Sequence, residues 1–329
     1  MPPKQVLPSV LAASMVVASA VLVAGTPASA QELPPGKPIR VILAVGVGGT
    51  SDVFMRLLGE EYHRRYGHPF VIENHAIGSG NVGARACAEA ANDGSAICHL
   101  PNAAIVYNQF LYKRLPFDPE SLVPITNPFI NTQLMVASTA LGVKTLPELA
   151  ALSKARPGTL SYIMPSAPLS VFMDWWIAKT GADLVRVPFK GGGDAVNNLL
   201  TGAVPVAMFG MGNWLPQIAA GTVRPLAVDT DRRSPVLPDV PTLRELGYTG
   251  DLTYTYFGIM APPGTPARIV NRYYEEFSTI GRDPEFRRKH ITEMGLEPVF
   301  DTPAEFSRYL KEDRLRAERI VKAAGLMPQ

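Results

Sequence analysis

Short apolar runs alternate along this chain with longer segments whose apolar residues recur every third or fourth position. The first pattern reads as strand and the second as amphipathic helix. After the lead Pro34-Pro35-Gly36-Lys37-Pro38, it predicts a strand at Ile39–Val45 and a helix at Ser51–Tyr66. Val53, Phe54, Leu57, Leu58 and Tyr62 would form the helix's buried face, and Gly67 would end it. A strand at Phe70–Glu73, a helix at Asn81–Ala91 and a strand at Ala96–Leu100 follow. Such a βαβαβ run implies a parallel sheet.

A second run begins after the proline-rich stretch Pro116 to Pro128. Strands are expected near Gln133–Ala137, Leu160–Met164, Leu184–Pro188, Val204–Phe209 and Arg224–Val228. Between them lie one helix with Val171, Phe172, Trp175 and Trp176, and another with Ala195, Val196, Leu199 and Leu200. The tryptophan pair reads as core packing. Tyr254–Met260 reads as a further strand, and three helices close the chain at about Pro266–Ile280, Pro284–Met294 and Pro303–Ala324. Helices without new strands pack back on an existing sheet. The expected organisation is therefore α/β, with a discontinuous domain at 31–128 and 251–329 and an inserted domain at 129–250. Two chain crossings join them, with hinge candidates at Phe129–Gln133 and Gly250–Tyr256. Sheets of this kind bind ligands at the carboxyl ends of their strands, and two such ends facing each other make a closable cleft.

Three glycine-bearing turns stand where that cleft would be. They are Gly48-Gly49-Thr50-Ser51-Asp52, Gly78-Ser79-Gly80-Asn81-Val82-Gly83 and Lys190-Gly191-Gly192-Gly193-Asp194. Each follows an apolar run and opens a helix, so its first N–H groups lack helical acceptors and sit in the positive end of the helix dipole. Together they suit a small carboxylate or phosphate. Thr50, Ser51 and Asp52 are good capping residues, and Asp52 is assigned to capping or orienting rather than to direct contact with an anion. Lys190 is either a solvated side chain or a cation for a second acidic group on the ligand.

The N-terminus is a separate object. Lys4, the apolar stretch Val6 to Ala24 and Ala28-Ser29-Ala30 read as a signal peptide over residues 1–30, cleaved on export to a periplasm. No stable membrane insertion is expected after cleavage. The two cysteines, Cys87 and Cys98, fall on a helix and on the strand that follows it, so they can meet. An oxidising compartment favours a disulfide between them; the alternative is two buried free thiols. The 329 residues carry a formal net charge of only +2, which points to no nucleic-acid or membrane-surface partner.

Cofactor and catalytic motifs fail on inspection. Gly78-x-Gly80-x-x-Gly83 matches the dinucleotide fingerprint by letter, but Asn74 to Ile77 separate it from its strand and no acid ends the next strand. Lys190-Gly191-Gly192-Gly193 has the wrong order for a phosphate loop of the Walker type. Ser79, Ser166 and Ser170 lack the nucleophile elbow, and nothing links His75 or His99 to a serine. The five histidines form no short-spaced metal motif. No enzyme, cofactor or metal is expected.

In combination, several segments are distinctive. Gly48-Gly49-Thr50-Ser51-Asp52, and Glu73-Asn74 with Gly78 to Gly83, resemble G-G-x-x-D and E-N-x-x-G-x-G-x-x-G patterns, the second with three residues rather than two after Asn74. With Leu115 to Pro119, Val187 to Gly191, Leu237 to Thr242 and Ala261 to Pro266, the chain resembles the Bug family, the periplasmic solute receptors of tripartite tricarboxylate transporters. The resemblance implies a type II periplasmic-binding-protein (Venus flytrap) fold with parallel-rich sheets, a small organic-acid ligand and membrane transporter subunits as partners. Sensing for a membrane signalling system is the alternative role for the same fold. Carried over by position, the ligand residues would be Val47, Gly48, Gly49, Thr50, Asp52, Ser79, Gly80 and Asn102 on one wall. The other wall would be Ser166, Ala167, Ser170, Gly191, Gly192, Gly193, Asp194 and Gly210, with Tyr256 covering the ligand. Gly210-Met211-Gly212 stands where many members carry an acid, which disfavours amino-acid ligands and leaves a less polar far wall.

Overall fold

The computed structural model describes Met1 and residues 36–164, 167–188 and 192–328, with only the backbone described at 167–170 and 192. The expected signal peptide lies outside the described residues. β1 (Ile39–Leu43), β2 (Phe70–Asn74) and β3 (Ala96–Pro101) pair in parallel, with β1 central. α1 (Thr50–Tyr66) and α2 (Asn81–Ala88) connect them, as the periodicity predicts. β4 (Val123–Thr126) and β11 (Phe257–Ala261) complete the first sheet in the order β2-β1-β3-β11-β4, with β11 antiparallel to both neighbours. β4 falls in the proline-rich stretch that the apolar pattern passed over.

The buried face of α1 needs one correction. Phe54, Met55, Leu58 and Tyr62 are buried, whereas Val53 is exposed and Leu57 only half-buried. At about 100° per residue, 53 and 57 fall opposite the stripe through 55, 58 and 62. Gly67 ends the helix in the left-handed conformation, its N–H donating to the His63 carbonyl. α2 lies so close to the sheet that a Cβ on Gly83 would stand 2.6 Å from the Cβ of Ala44.

The second sheet takes β6 (Gln133–Ser138), β7 (Ser161–Ile163), β8 (Val185–Arg186), β9 (Val206–Gly210) and β10 (Val223–Val228) in the order β10-β6-β9-β7-β8. β7 runs parallel to β8 and β9, and β6 antiparallel to β9 and β10. Beyond the short α3 (Asn108–Leu111), α4 (Leu146–Ala155), α5 (Ala167–Thr180), α6 (Gly192–Thr201) and α7 (Leu215–Ala219) belong to this run. Trp176 is buried in the core as expected, and Trp175 packs edge-on against Tyr248.

The chain closes with α8 (Ala267–Arg282), α9 (Pro284–Arg287) and α10 (Pro303–Ala323). The expected helix over Pro284–Met294 is shorter, because a π-type turn takes over at Arg288–Thr292. A further strand was not foreseen: β12 (Leu296–Pro298) pairs antiparallel with β5 (Phe129–Asn131). Each has three residues, too short for a period of two to register. The two chain crossings lie side by side. Ile130 bridges Tyr256, and the Asn131 N–H donates to the Thr255 carbonyl at 2.7 Å.

Cys87 and Cys98 form the disulfide, with Cα atoms 5.9 Å apart, and tie α2 to β3. Beside it, His99 is fully buried against Phe54, Phe129 and Phe257, and neither ring nitrogen has a partner. Burial pushes its pKa down to about 3. The unfolded chain takes up this proton near pH 6.5, but the folded chain does not until about pH 3.

Two outcomes follow for unfolding experiments. Replacing both cysteines by serine should lower the unfolding free energy by about 2–4 kcal/mol, read from denaturant midpoints. Wild-type stability should fall as pH drops from about 6.5 towards 3, by up to about 1.4 kcal/mol per unit from this group. His99→Leu should remove that component of the slope.

Candidate functional site

The C-terminal ends of β1, β2 and β3 release three adjacent segments, 44–49, 75–80 and 101–103. The first turn is held from inside. Asp52 is only 1% exposed, and its carboxylate accepts from the Gly48 N–H at 2.9 Å, Arg56 Nη2 at 3.0 Å and Asn74 Nδ2 at 2.9 Å. The Asn74 amide also reaches the Val45 carbonyl. Burial alone would raise the Asp52 pKa, but the donors outweigh it, with Arg56 the strongest, and hold it below the ordinary value. Asp52 is an ionised anchor, which agrees with its orienting role.

With the loop fixed in this way, the N–H groups of Gly49, Thr50 and Ser51 have no acceptor among the described residues. Ser51, 5% exposed, also has a hydroxyl without a partner. Thr50 faces the other sheet. A Cβ on Gly212, in the turn after β9, would lie 3.5 Å from Thr50 Oγ1 and 2.3 Å from the Met294 carbonyl oxygen.

In the second turn, Gly78, Ser79 and Gly80 are all left-handed, with φ of 68°, 53° and 86°. Asn108 Nδ2 holds it, donating to the Ser79 carbonyl and to Asn81 Oδ1, and the Tyr112 hydroxyl reaches Ser79 Oγ. The N–H groups of Val82 and Gly83 have no acceptor among the described residues. The first two turns touch, since a Cβ on Gly46 would lie 3.8 Å from the Cβ of Ala76.

Several expectations change. Gly80 was expected to face ligand, yet a Cβ there would lie 2.9 Å from Pro101 Cγ and 3.1 Å from Ala104 Cβ, so its glycine is required by the fold. Tyr256 does not cover a cleft. It is buried under α10, against Phe306, and its hydroxyl donates to Asp313 Oδ2 at 2.8 Å. Gly210 faces Asn131, whose amide would meet a Cβ at 2.8 Å. Asn102 serves the crossing: its Nδ2 donates to the Tyr254 carbonyl and its N–H to that of Tyr256. His99, weighed as a base, is sealed in the core. Ser166 and Gly191 lie outside the described residues, and Ala167, Ser170 and Gly192 are described by backbone only. Gly193 is open to solvent, and Asp194 accepts from Asn198 Nδ2 one turn along α6.

Sequence reasoning missed Arg56, Asn74, Asn108 and Asn131 as positioning residues. Arg56 was legible as an i,i+4 partner of Asp52. A separate cavity of about 600 Å³ lies at the crossings, lined in part by Thr132, Arg233, Tyr254 and Leu296. None of the expected ligand residues lines it, and its Arg233 and Asp231 are paired with Glu245 and Tyr254.

The family profile of the tripartite tricarboxylate transporter family receptor matches residues 54–326. The chain belongs to this receptor family. Protein BugT of Bordetella pertussis is 30% identical over 302 residues, covering 88% of this receptor and 90% of the relative. Among solved structures, R. palustris Rpa4515 with adipate superposes with a TM-score of 0.83 at 27% identity, covering 90% of this chain and 99% of that one. MatC from Rhodopseudomonas palustris with bound malate gives 0.76 at 26%, covering 87% and 99%. Periplasmic binding protein BugD superposes with a TM-score of 0.81 at 27% identity, covering 90% of this chain and 100% of that one, and the receptor shares this α/β architecture.

The receptor's two turn glycines, Gly80 and Gly49, should separate by experiment. Gly80→Val should destabilise by about 1–3 kcal/mol through backbone strain and overlap. Gly49→Leu, at an ordinary φ of −73° where a Cβ would meet only the Gly46 carbonyl oxygen at 3.7 Å, should change stability by less than about 0.5 kcal/mol. Thermal unfolding of the two variants checks the order.

Proposed function

We propose that this receptor captures a small organic carboxylate between its two sheets, in the periplasm, and delivers it to the membrane subunits of a tripartite transporter. The observation that carries the reading is the pairing of two adjacent helix starts, α1 and α2, at which the N–H groups of Gly49 to Ser51 and of Val82 and Gly83 have no acceptor among the described residues. The nearest carboxylate, Asp52, is neutralised by its own donors. Backbone donors in a fixed array bind an anion without reorganisation. The bodies that close would be 31–128 with 251–329, and 129–250, hinged at Phe129–Gln133 and Gly250–Tyr256. Adipate and malate bound to structural neighbours support the ligand class. The disulfide suits an oxidising compartment. Among the described residues no helix is long and apolar enough to cross a membrane. We read the receptor as a binder rather than an enzyme.

Calorimetry with adipate, malate and the uncharged diamide of adipate tests this reading, with small-angle scattering at saturation. A carboxylate should bind, the diamide should not, and the radius of gyration should fall on binding. Binding of the diamide as tightly as adipate, or no binding of any carboxylate, would refute it.

A further inference from the structure

The rim of the two free helix starts is unusually apolar. Val47 is 76% exposed and Ile77 75%, with Val82 at 43%. Val47 stands between Gly46 and Gly48, just ahead of the free Gly49 and Thr50 N–H groups. Ile77 stands just ahead of the left-handed turn that leads to the free Val82 and Gly83 N–H groups. The contact between Gly46 and Ala76 brings these two loops together. Ten large apolar side chains are exposed among the described residues, and four of them, with Val53, belong to these two loops and the first turns they open. An apolar group left in water in the free protein gains when something apolar covers it.

The arrangement identifies what that is. The donors here are N–H groups, which suit one carboxylate. Arg56 is spent on Asp52. The facing turn, Gly210 to Asn213, has no ionisable side chain. Among the described residues of these turns, hydrocarbon stands next to the carboxylate position, and the nearby carboxylate of Glu73 is held by Arg40 and His75.

We infer that the site selects carboxylates with an unsubstituted hydrocarbon chain over hydroxylated acids of equal charge, with Val47 and Ile77 as specificity-determining residues. This rests on the carboxylate reading above. A carboxylate seated on the helix starts runs its first methylenes along these two side chains. Each covered methylene adds affinity, while a hydroxyl placed there loses its water without a replacement partner.

The test is calorimetry on the mature protein with succinate, glutarate, adipate and malate, malate being succinate with one hydroxyl. Affinity should rise by about two- to four-fold per methylene. Malate should bind at least several-fold more weakly than succinate. The double variant Val47→Ser, Ile77→Ser should flatten the chain-length dependence and narrow the gap between malate and succinate. Val47→Ala with Ile77→Ala should do so partly, and circular dichroism confirms folding of each. If carboxylates bind but the wild-type series is flat, or malate equals succinate, or the serine variant keeps the full slope, the inference fails while the carboxylate reading stands. If no carboxylate binds, both fail.

Discussion

Everything proposed for this site depends on the buried carboxylate of Asp52. A carboxylate 1% exposed is costly unless its oxygens are satisfied, and here the backbone of Gly48, the guanidinium of Arg56 and the amide of Asn74 satisfy them. Those three partners come from the turn after β1, from the next turn of α1 and from the end of β2. One side chain thus fixes how the loop leaves the sheet and how the helix begins. The N–H groups of Gly49 to Ser51 are left without an acceptor among the described residues. In the proposed function Asp52 orients the loop and is withheld from the ligand, since its charge is used up within the loop.

A comparable economy holds the crossings. The Tyr256 hydroxyl donates to the buried Asp313, which also lies 3.6 Å from Arg316. Arg316 in turn lies over the rings of Tyr254 and Tyr309. The second crossing is therefore fastened to α10, while the first is braced by β12. Gly212, against Met294 and close to Thr50, shows how near the two sheets' loops come, and a side chain there would force them apart.

Much of the architecture was readable from periodicity and caps. The βαβαβ start, Gly67 as the end of α1 and the return of the last helices to the first sheet all follow from local pattern. The disulfide followed from placing Cys87 and Cys98 on neighbouring elements. What escaped was decided by tertiary contact. Gly80 and Gly210 look like ligand-facing glycines, but Pro101 and Asn131 occupy the space beside them. Tyr256 stands at the crossing just ahead of β11, where the local pattern cannot say which side its ring takes; the polar partner Asp313, fifty-seven positions away, decides it. Asn74 was visible as part of a motif, but its role needed the geometry of Asp52.

In the proposed function, main-chain N–H groups at the start of α1 receive the ligand's carboxylate. Backbone amide correlation spectra of isotope-labelled receptor, recorded during titration with adipate, test it most directly. The Gly49, Thr50 and Ser51 amide protons should move downfield by far more than those of the helix interior, as expected for new charged hydrogen bonds, and Gly48, already donating to Asp52, should move little. Saturation with adipate that leaves these three amides in place would contradict the claim.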